Sequence, residues 1–425
     1  MREDVQDAVN RVDQERLWRR LMEMARIGAI PGGGVNRAAF SRDDIAARKL
    51  LISWARARNF SASMDAIGNL FIRRAGSDPR AAPVMTGSHM DSQPRGGRFD
   101  GIYGVLAGLE ALEAIEQSGV KTRRPVELVA WSNEEGGRFS PCTMGSAVYT
   151  GAKRLAEFLE VKDNEGIALK EALAETLAAT PTAEKRELNA TAAAYIEAHI
   201  EQGPLLEQEG KTIGVVTGIQ GLRWFNVEVI GETAHAGTTP LESRRDALRE
   251  AIAAINALHA LARDAGDAVR FTIGRMLVTP NSPNSVPSHV LFSVDVRHPD
   301  AATIARLGEA IEPAVRAAVK RCSVRVTPTL QDDPCAFDPA VVDCVERAAQ
   351  ALELAHRRMA SGASHDAMYL ARVCPTGMIF VPCEKGVSHN EAENALPGDL
   401  AAGARVLTAA LLELANRPAA TSGGR

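Results

Sequence analysis

The segment PVELVAWSNEEGGRF, residues 125–139, joins a continuous apolar run to two adjacent carboxylates, Glu134 and Glu135. An apolar run that stops at turn residues is typical of a buried strand. Adjacent like charges repel each other unless they point apart, stay in water or face a shared cation. The segment therefore predicts a buried strand that ends either in a solvated turn or at a cation site.

Apolar runs of this kind alternate with helical patterns in the first half of the chain and again near its end. Such alternation predicts an α/β domain with a mostly parallel sheet flanked by helices. The runs are 83–89, 125–132, 193–200 and 377–382, and the helical patterns are 105–117, 340–354 and 400–414.

The pattern changes to a self-contained β-α-β-β-α-β order within residues 217–333. That order predicts an inserted two-layer α+β domain. The expected catalytic domain is then residues 1–216 with 334–425. The expected strands of the insert are 225–231, 268–278, 288–298 and 323–330, and its helices are 244–263 and 301–320.

Composition narrows the class of protein. The 425 residues are 45% hydrophobic with a net charge of -4, which offers no electrostatic attraction for nucleic acid or an anionic membrane. No run of about 18 apolar residues is present, so a cytoplasmic protein with a small-molecule partner is expected. The six cysteines form no C-x-x-C pair, so a bound metal would need nitrogen and oxygen ligands.

Histidines and acids follow the predicted strands at the edge where α/β sheets bind ligands. His89 ends one strand and His199 another, Asp100 follows a glycine-rich loop, and His389 lies beyond the last strand. With an acid of the Glu134–Glu135 pair they supply the nitrogen and carboxylate ligands that a dinuclear site needs. Each alone has a plainer interpretation, as a surface turn or a structural histidine.

Other polar residues are interpreted from their local patterns. Asp91, two residues after His89, is placed to bond the other ring nitrogen of that histidine. His259 and His356 fall in helical patterns and are interpreted as structural, while Asp246 is expected to cap a helix.

Seven motifs, taken together and in order, resemble the zinc-dependent amidohydrolases of the hydantoinase/carbamoylase type, in the aminoacylase-like metallopeptidase clan. This family includes N-carbamoyl-L-amino acid hydrolase, β-ureidopropionase and allantoate amidohydrolase. The motifs are GSHMDSQPRGGRFDGIYGVLAGLEAL, NEEGGRF, AHIEQGP, GETAHAGTTPLESRRDA, SVDVRH, SGASHDAM and GVSHNEAE, between about residues 85 and 395.

The resemblance implies two divalent metal ions per subunit, with zinc first and manganese, cobalt or nickel as alternatives. It implies the ligands His89, Asp100, Glu135, His199 and His389, with Asp100 as the bridge. The catalytic residues it implies are Glu134 as general base, Asp91, and His235, which in this family reaches the partner subunit's site. The substrate-binding residues it implies are Gln202, Asn284, Arg297 and His365, the last also a possible supporting residue with Asp366.

The physics of these residue types agrees with such roles. Arg297 offers a planar fork to a carboxylate, and the imidazole of His235 can stabilise a developing oxyanion. Plainer interpretations are a surface salt bridge for Arg297 and a strand-end cap for His235.

The reaction implied is hydrolysis of the carbamoyl (ureido) C–N bond of an N-carbamoyl amino acid, giving the amino acid, ammonia and carbon dioxide. The implied assembly is a homodimer formed through the inserted lid domain. DSQPRGGRFDG resembles the carbamoyl-amino-acid and β-ureidopropionate branch more than the allantoate branch. The alternatives are an allantoate or ureidoglycolate amidohydrolase, an aminoacylase or dipeptidase of the same clan, and a non-catalytic, metal-stabilised binder.

Overall fold

The computed structural model describes residues 2–180, 183–189 and 191–417. They form two compact units, which we call unit 1 (Met1–Gly218 with Ala336–Arg425) and unit 2 (Ile219–Cys335). Within these described ranges, no helix has the length and apolar character needed to cross a bilayer.

Unit 1 is built on a sheet whose four central strands are parallel and fully buried. In spatial order these strands are Thr376–Val381, Ala194–Ile200, Val84–His89 and Val126–Trp131. Parallel strands buried on both faces need apolar side chains on both faces, which explains the continuous apolar runs. The predicted α/β class with a mainly parallel central sheet is confirmed.

Further strands extend this sheet on both sides. Ile213–Ile219 pairs antiparallel with Thr376–Val381, and Leu70–Arg74 pairs antiparallel with Val126–Trp131. The remaining strands are Ser61–Met64, Glu184–Lys185, Cys335–Ala336 and His356–Ser361. The helices of unit 1 are Glu3–Asn10, Gln14–Met24, Arg42–Arg56, Ile102–Ser118, Met144–Tyr149, Leu169–Ala179, Leu205–Gln208, Pro339–Ala351, Ala367–Leu370 and Pro397–Asn416.

Unit 2 packs two helices, Ala247–Asp264 and Ala301–Ala318, against a sheet. Burial alternates along its long strands, because successive side chains point to opposite faces. Asp246 accepts hydrogen bonds from Leu248 and Arg249, which confirms it as a helix cap. The strands of the sheet are Arg270–Thr272, Met276–Thr279, His289–His298, Gly221–Ile230 and Ser323–Asp332, and Ala234–His235 pairs separately with Ser285–Val286.

Two sequence-based expectations differ from the structure. The predicted strand 268–278 is two strands, Arg270–Thr272 and Met276–Thr279, both paired with His289–His298. His356 opens a strand rather than lying in a helix, because the preceding helix ends at Ala351.

Candidate metal centre

The candidate ligands meet at one edge of the unit 1 sheet. His89 is the last residue of Val84–His89, and His199 lies near the end of Ala194–Ile200, the neighbouring parallel strand. Glu134 and Glu135 follow Val126–Trp131 on the other side of His89. Carboxyl ends of parallel strands lie at the same edge, so the topology alone brings these side chains together.

Asp100 joins two groups of three ligands. Its Oδ1 lies 3.6 Å from His89 Nε2 and 3.2 Å from His199 Nε2. Its Oδ2 lies 3.3 Å from His389 Nε2, which in turn lies 3.4 Å from Glu135 Oε2. One carboxylate therefore presents a different oxygen to each group, as a bridging ligand does.

These spacings fit metal binding. Donor atoms around a tetrahedral ion at about 2.0–2.2 Å lie roughly 3.3–3.6 Å apart. The four distances given above, 3.2 to 3.6 Å, lie close to that range, and all the donor atoms of each group lie within 4.8 Å of one another. The five side chains can therefore hold two small divalent ions with little movement.

The two buried histidines present nitrogen lone pairs toward Asp100. His89 Nδ1 lies 2.9 Å from the carbonyl oxygen of Asp91, and His199 Nδ1 lies 2.9 Å from that of Ile200. A carbonyl oxygen only accepts hydrogen bonds, so each Nδ1 carries a proton, and in the neutral ring, the form that binds a metal, each Nε2 carries the lone pair. The amide of Gly101 also donates to His199 Nε2 at 3.1 Å, in agreement with this tautomer.

The charges at this edge favour a cation. The pKa of Glu135 is raised to about 7, mainly by burial and to a smaller extent by the carboxylate of Asp100. Burial lowers the pKa of His89, but the carboxylates of Glu134, Asp100 and Asp91 outweigh it and raise this pKa well above its ordinary value. A bound divalent ion would stabilise the same carboxylates in their charged form.

Gly101 allows Asp100 to approach His89. It has a φ of +66°, and a Cβ there would lie 2.3 Å from His89 Cε1. Only glycine satisfies both the left-handed backbone and this close approach. The residue ends the glycine-rich loop and immediately precedes the helix Ile102–Ser118 as its N-cap.

Asp91 contacts a different group from the one expected. Its carboxylate lies 3.8 Å from His89 Nδ1, whose close partner is the Asp91 carbonyl oxygen. The carboxylate instead accepts hydrogen bonds from the amides of Glu134, at 3.2 Å, and Glu135, at 3.1 Å. Two otherwise unpaired amides after a buried strand are strong donors to a carboxylate, and these bonds fix the backbone of both glutamates.

Glu134 lies beside the ligands without completing either group of three. Its Oε2 is 3.4 Å from His89 Nε2, and the side chain is 9% exposed. Burial raises the pKa of Glu134 well above its ordinary value, and nearby Asp366 and Glu135 act in the same direction. A carboxylate with a raised pKa is a stronger base.

Two of the predicted substrate-binding residues contact the candidate ligands directly. The side-chain amide of Gln202 donates to Asp100 Oδ2 at 3.0 Å and to Ser388 Oγ at 3.1 Å. The ring of His365 is buried and packs edge-on against His199, with 4.6 Å between ring centroids. Both contacts are those of residues that support the ligands.

The three remaining predicted residues lie in unit 2. His235 and Asn284 are close together, because Ala236 donates to the Asn284 carbonyl oxygen where two short strands pair. Arg297 bonds Asp295 on its own strand, with 2.9 Å between Nη2 and Oδ2. That contact is the salt bridge of the plainer interpretation.

Two buried acids were missed by the sequence analysis. Glu197 accepts hydrogen bonds from Ser88 Oγ at 2.7 Å and Tyr195 Oη at 3.1 Å, on the face of the strand that carries His199. Glu393 bonds the amides of Phe99 and Asp100, at 2.9 and 3.1 Å, and Ser388 Oγ at 2.9 Å. A charge within a buried strand, and an acid four residues after His389, were the available signals.

Replacing Glu393 with Gln should weaken metal binding by roughly 10- to 100-fold, as loss of an outer hydrogen-bond partner does. The reason is that Glu393 connects the turn that carries Asp100 to the loop that carries His389. Competition with a chromogenic chelator measures the affinity. Glu391→Gln is the matched control, since Glu391 pairs with the exposed Arg95; equal affinities in the two variants would contradict the prediction.

Comparison with known proteins agrees with this geometry. Residues 85–413 match the model of peptidase family M20/M25/M40. The chain belongs to peptidase family M20/M25/M40. Members of this family are metal-dependent, and the ligand groups around Asp100 give the chain a candidate metal site.

Several similar proteins are named as amidohydrolases, hydrolases or amidases. The chain is 40% identical to an N-carbamoyl-L-amino-acid amidohydrolase of Rhizobium meliloti, over 95% of this chain and 97% of that protein. It is 33% identical to a ureidoglycolate hydrolase of Arabidopsis thaliana, over 95% and 87%. The crystal structure of a hydantoinase/carbamoylase family amidase from Burkholderia multivorans matches with a TM-score of 0.92 and 45% identity, over 96% and 99%.

Proposed function

We propose that this protein is a metal-dependent amidohydrolase that cleaves the ureido C–N bond of N-carbamoyl-L-amino acids. The observation that carries the proposal is the pair of ligand groups that share Asp100, with Glu134 beside them. The similarity to N-carbamoyl-L-amino-acid amidohydrolases, at 36% to 40% identity, supports the choice of substrate class.

In this proposal His89, His199, Asp100, Glu135 and His389 would hold two divalent ions, with zinc as the first choice. Bound there, they would supply Lewis acidity and lower the pKa of water toward neutrality. No cysteine belongs to either ligand group.

Glu134 takes a proton from water, which attacks the ureido carbon. It then returns that proton to the leaving nitrogen as the C–N bond breaks. Its carboxylate suits this role because it is buried, which strengthens it as a base, and because Asp91 holds its backbone. The carbamic acid that this step leaves then loses carbon dioxide, which breaks the second C–N bond, so the products are the free amino acid, ammonia and carbon dioxide.

Unit 2 supplies the substrate contacts in this proposal and acts as a lid and dimerisation domain. Arg297 and Asn284 bind the substrate's carboxylate and carbonyl groups, with Gln202 and His365 supporting the site from unit 1. His235 stabilises the oxyanion in the partner subunit's site, so that activity depends on a homodimer. We place the protein in the cytoplasm.

An ammonia-release panel tests the proposal. The metal-loaded protein is given N-carbamoyl-L-amino acids, N-carbamoyl-β-alanine, allantoate and ureidoglycolate. The proposal predicts the highest kcat/KM among the N-carbamoyl-L-amino acids. The second candidate is a ureidoglycolate hydrolase, which the similarity to the Arabidopsis thaliana protein favours, and preference for ureidoglycolate would establish it. Absence of ammonia from every substrate would overturn both.

A further inference from the structure

The turn that carries His235 leaves one nitrogen of its ring accepting hydrogen bonds. The amide of Gly237 donates to His235 Nδ1 at 3.0 Å, and the amide of Thr238 donates to the same nitrogen at 3.2 Å. A backbone amide can only donate, so His235 Nδ1 must present its lone pair. The neutral ring then carries its proton on Nε2.

This tautomer is the reverse of the one at the metal centre. There, carbonyl oxygens hold the Nδ1 protons of His89 and His199, and each Nε2 is a lone-pair donor. His235 instead keeps a proton on Nε2. The neutral rings of His89 and His199 can therefore bind a cation through Nε2, whereas the neutral ring of His235 can donate a hydrogen bond from Nε2.

Arg244 fixes the turn that holds His235. Its Nε donates to the carbonyl oxygen of Thr239 at 2.9 Å, and its Nη2 donates to that of Ala236 at 2.6 Å. The two bonds reach both sides of Gly237 and Thr238, whose amides contact the ring. Arg245, the next residue, is exposed and donates to the Arg321 carbonyl oxygen, away from this turn.

We propose that Arg244 is a positioning residue that holds the 236–239 turn so that His235 is kept in the Nε2–H tautomer, ready to donate to a developing oxyanion. The catalytic part of this inference rests on the proposed function. A guanidinium suits the task because its planar fork bonds two carbonyl oxygens at once, which a lysine ammonium does with less geometric control. His235 thereby acts as a neutral hydrogen-bond donor and leaves proton transfer to Glu134.

The test compares Arg244→Ala, Arg244→Lys and the matched control Arg245→Ala in the full-length, metal-loaded protein. Nitrogen-15 NMR of histidine-labelled protein reports the protonation of each ring nitrogen, and a His235→Gln spectrum assigns the His235 signals. The unmodified protein should show a protonated Nε2 and an unprotonated Nδ1 at His235. Arg244→Ala should mix the tautomers, and Arg245→Ala should leave the His235 signals unchanged.

The kinetic readout separates positioning from substrate binding. Arg244→Ala should lower kcat and kcat/KM by the same factor, roughly 10- to 100-fold, with KM nearly constant. Arg244→Lys should recover part of that loss, and Arg245→Ala should match the unmodified protein. Melting temperatures identify any variant that fails to fold. If Arg244→Ala fails to fold, the comparison of Arg244→Lys with the unmodified protein tests the inference.

Each contrary result overturns the inference. A protonated Nδ1 at His235 in the unmodified protein would remove its basis. Equal behaviour of Arg244→Ala and Arg245→Ala in both NMR and kcat would remove the role of Arg244. If no ureido substrate is turned over, the proposed function fails, yet the NMR comparison still decides whether Arg244 controls the tautomer.

Discussion

Glu134→Gln should lower kcat by roughly 10²- to 10⁴-fold, the usual contribution of a positioned general base, while the protein keeps both metal ions. Gln has the shape of Glu but cannot take a proton from water. Glu134 belongs to neither ligand group, and its backbone is held by Asp91 through the amide, which the substitution preserves. Steady-state ammonia release and metal analysis by mass spectrometry provide the two measurements.

Glu135→Ala is the matched control for Glu134→Gln, since the two residues are adjacent and Asp91 bonds both amides. Glu135 lies in the group with His389, so its loss should reduce metal content toward one ion per subunit. If Glu134→Gln also lost an ion, or if the two variants had equal metal content, the assignment of base and ligand would be wrong.

Asp100→Asn should weaken metal binding at both ligand groups, because the charge of the shared carboxylate is lost together with one of its two ligand oxygens. Each Asp100 oxygen faces a different ligand group, and an amide nitrogen cannot coordinate in place of the second oxygen. Metal affinity should therefore fall by more than the roughly 10- to 100-fold expected for an outer hydrogen-bond partner, and ammonia release should fall with it. Isothermal titration with zinc measures the stoichiometry.

The fold of the variant is the necessary control, because burial and three neighbouring histidines set the charge of Asp100. Burial raises its pKa, but the neighbouring histidines His199, His389 and His89 lower it well below the ordinary value. Circular dichroism of Asp100→Asn should match that of the unmodified protein. Retention of two tightly bound ions by a folded Asp100→Asn protein would show that this residue is not the bridge.

The central strands could be predicted because burial on both faces requires runs of apolar residues. Ser61–Met64 and Leu70–Arg74 could not, because SASM and LFIRR lack that continuous pattern. The break at Ile273 to Arg275 was also hidden, since the residues on both sides favour a strand. The pattern of apolar residues in the sequence predicts buried strands well, but it predicts interruptions of a strand poorly.

A residue of the candidate site could be predicted when its type and its position at the end of a strand were enough to identify it. His89, His199 and the glutamate pair follow buried runs, so topology brings them together. Glu393 bonds Phe99 across 294 positions of sequence, a distance over which no local pattern carries information. The Asp91 carboxylate was assigned to the nearby ring, whereas the peptide amides of another strand end compete for it more strongly.

The two ligand groups that share Asp100 differ in their exposure to solvent. The side chains of His89 and His199 are 2% and 1% exposed, whereas that of His389 is 52% exposed. We expect an ion beside His389 to exchange quickly with the surrounding solution and an ion between His89 and His199 to exchange slowly. The purified protein should then carry the metal of its buffer at the first position and the metal it acquired in the cell at the second.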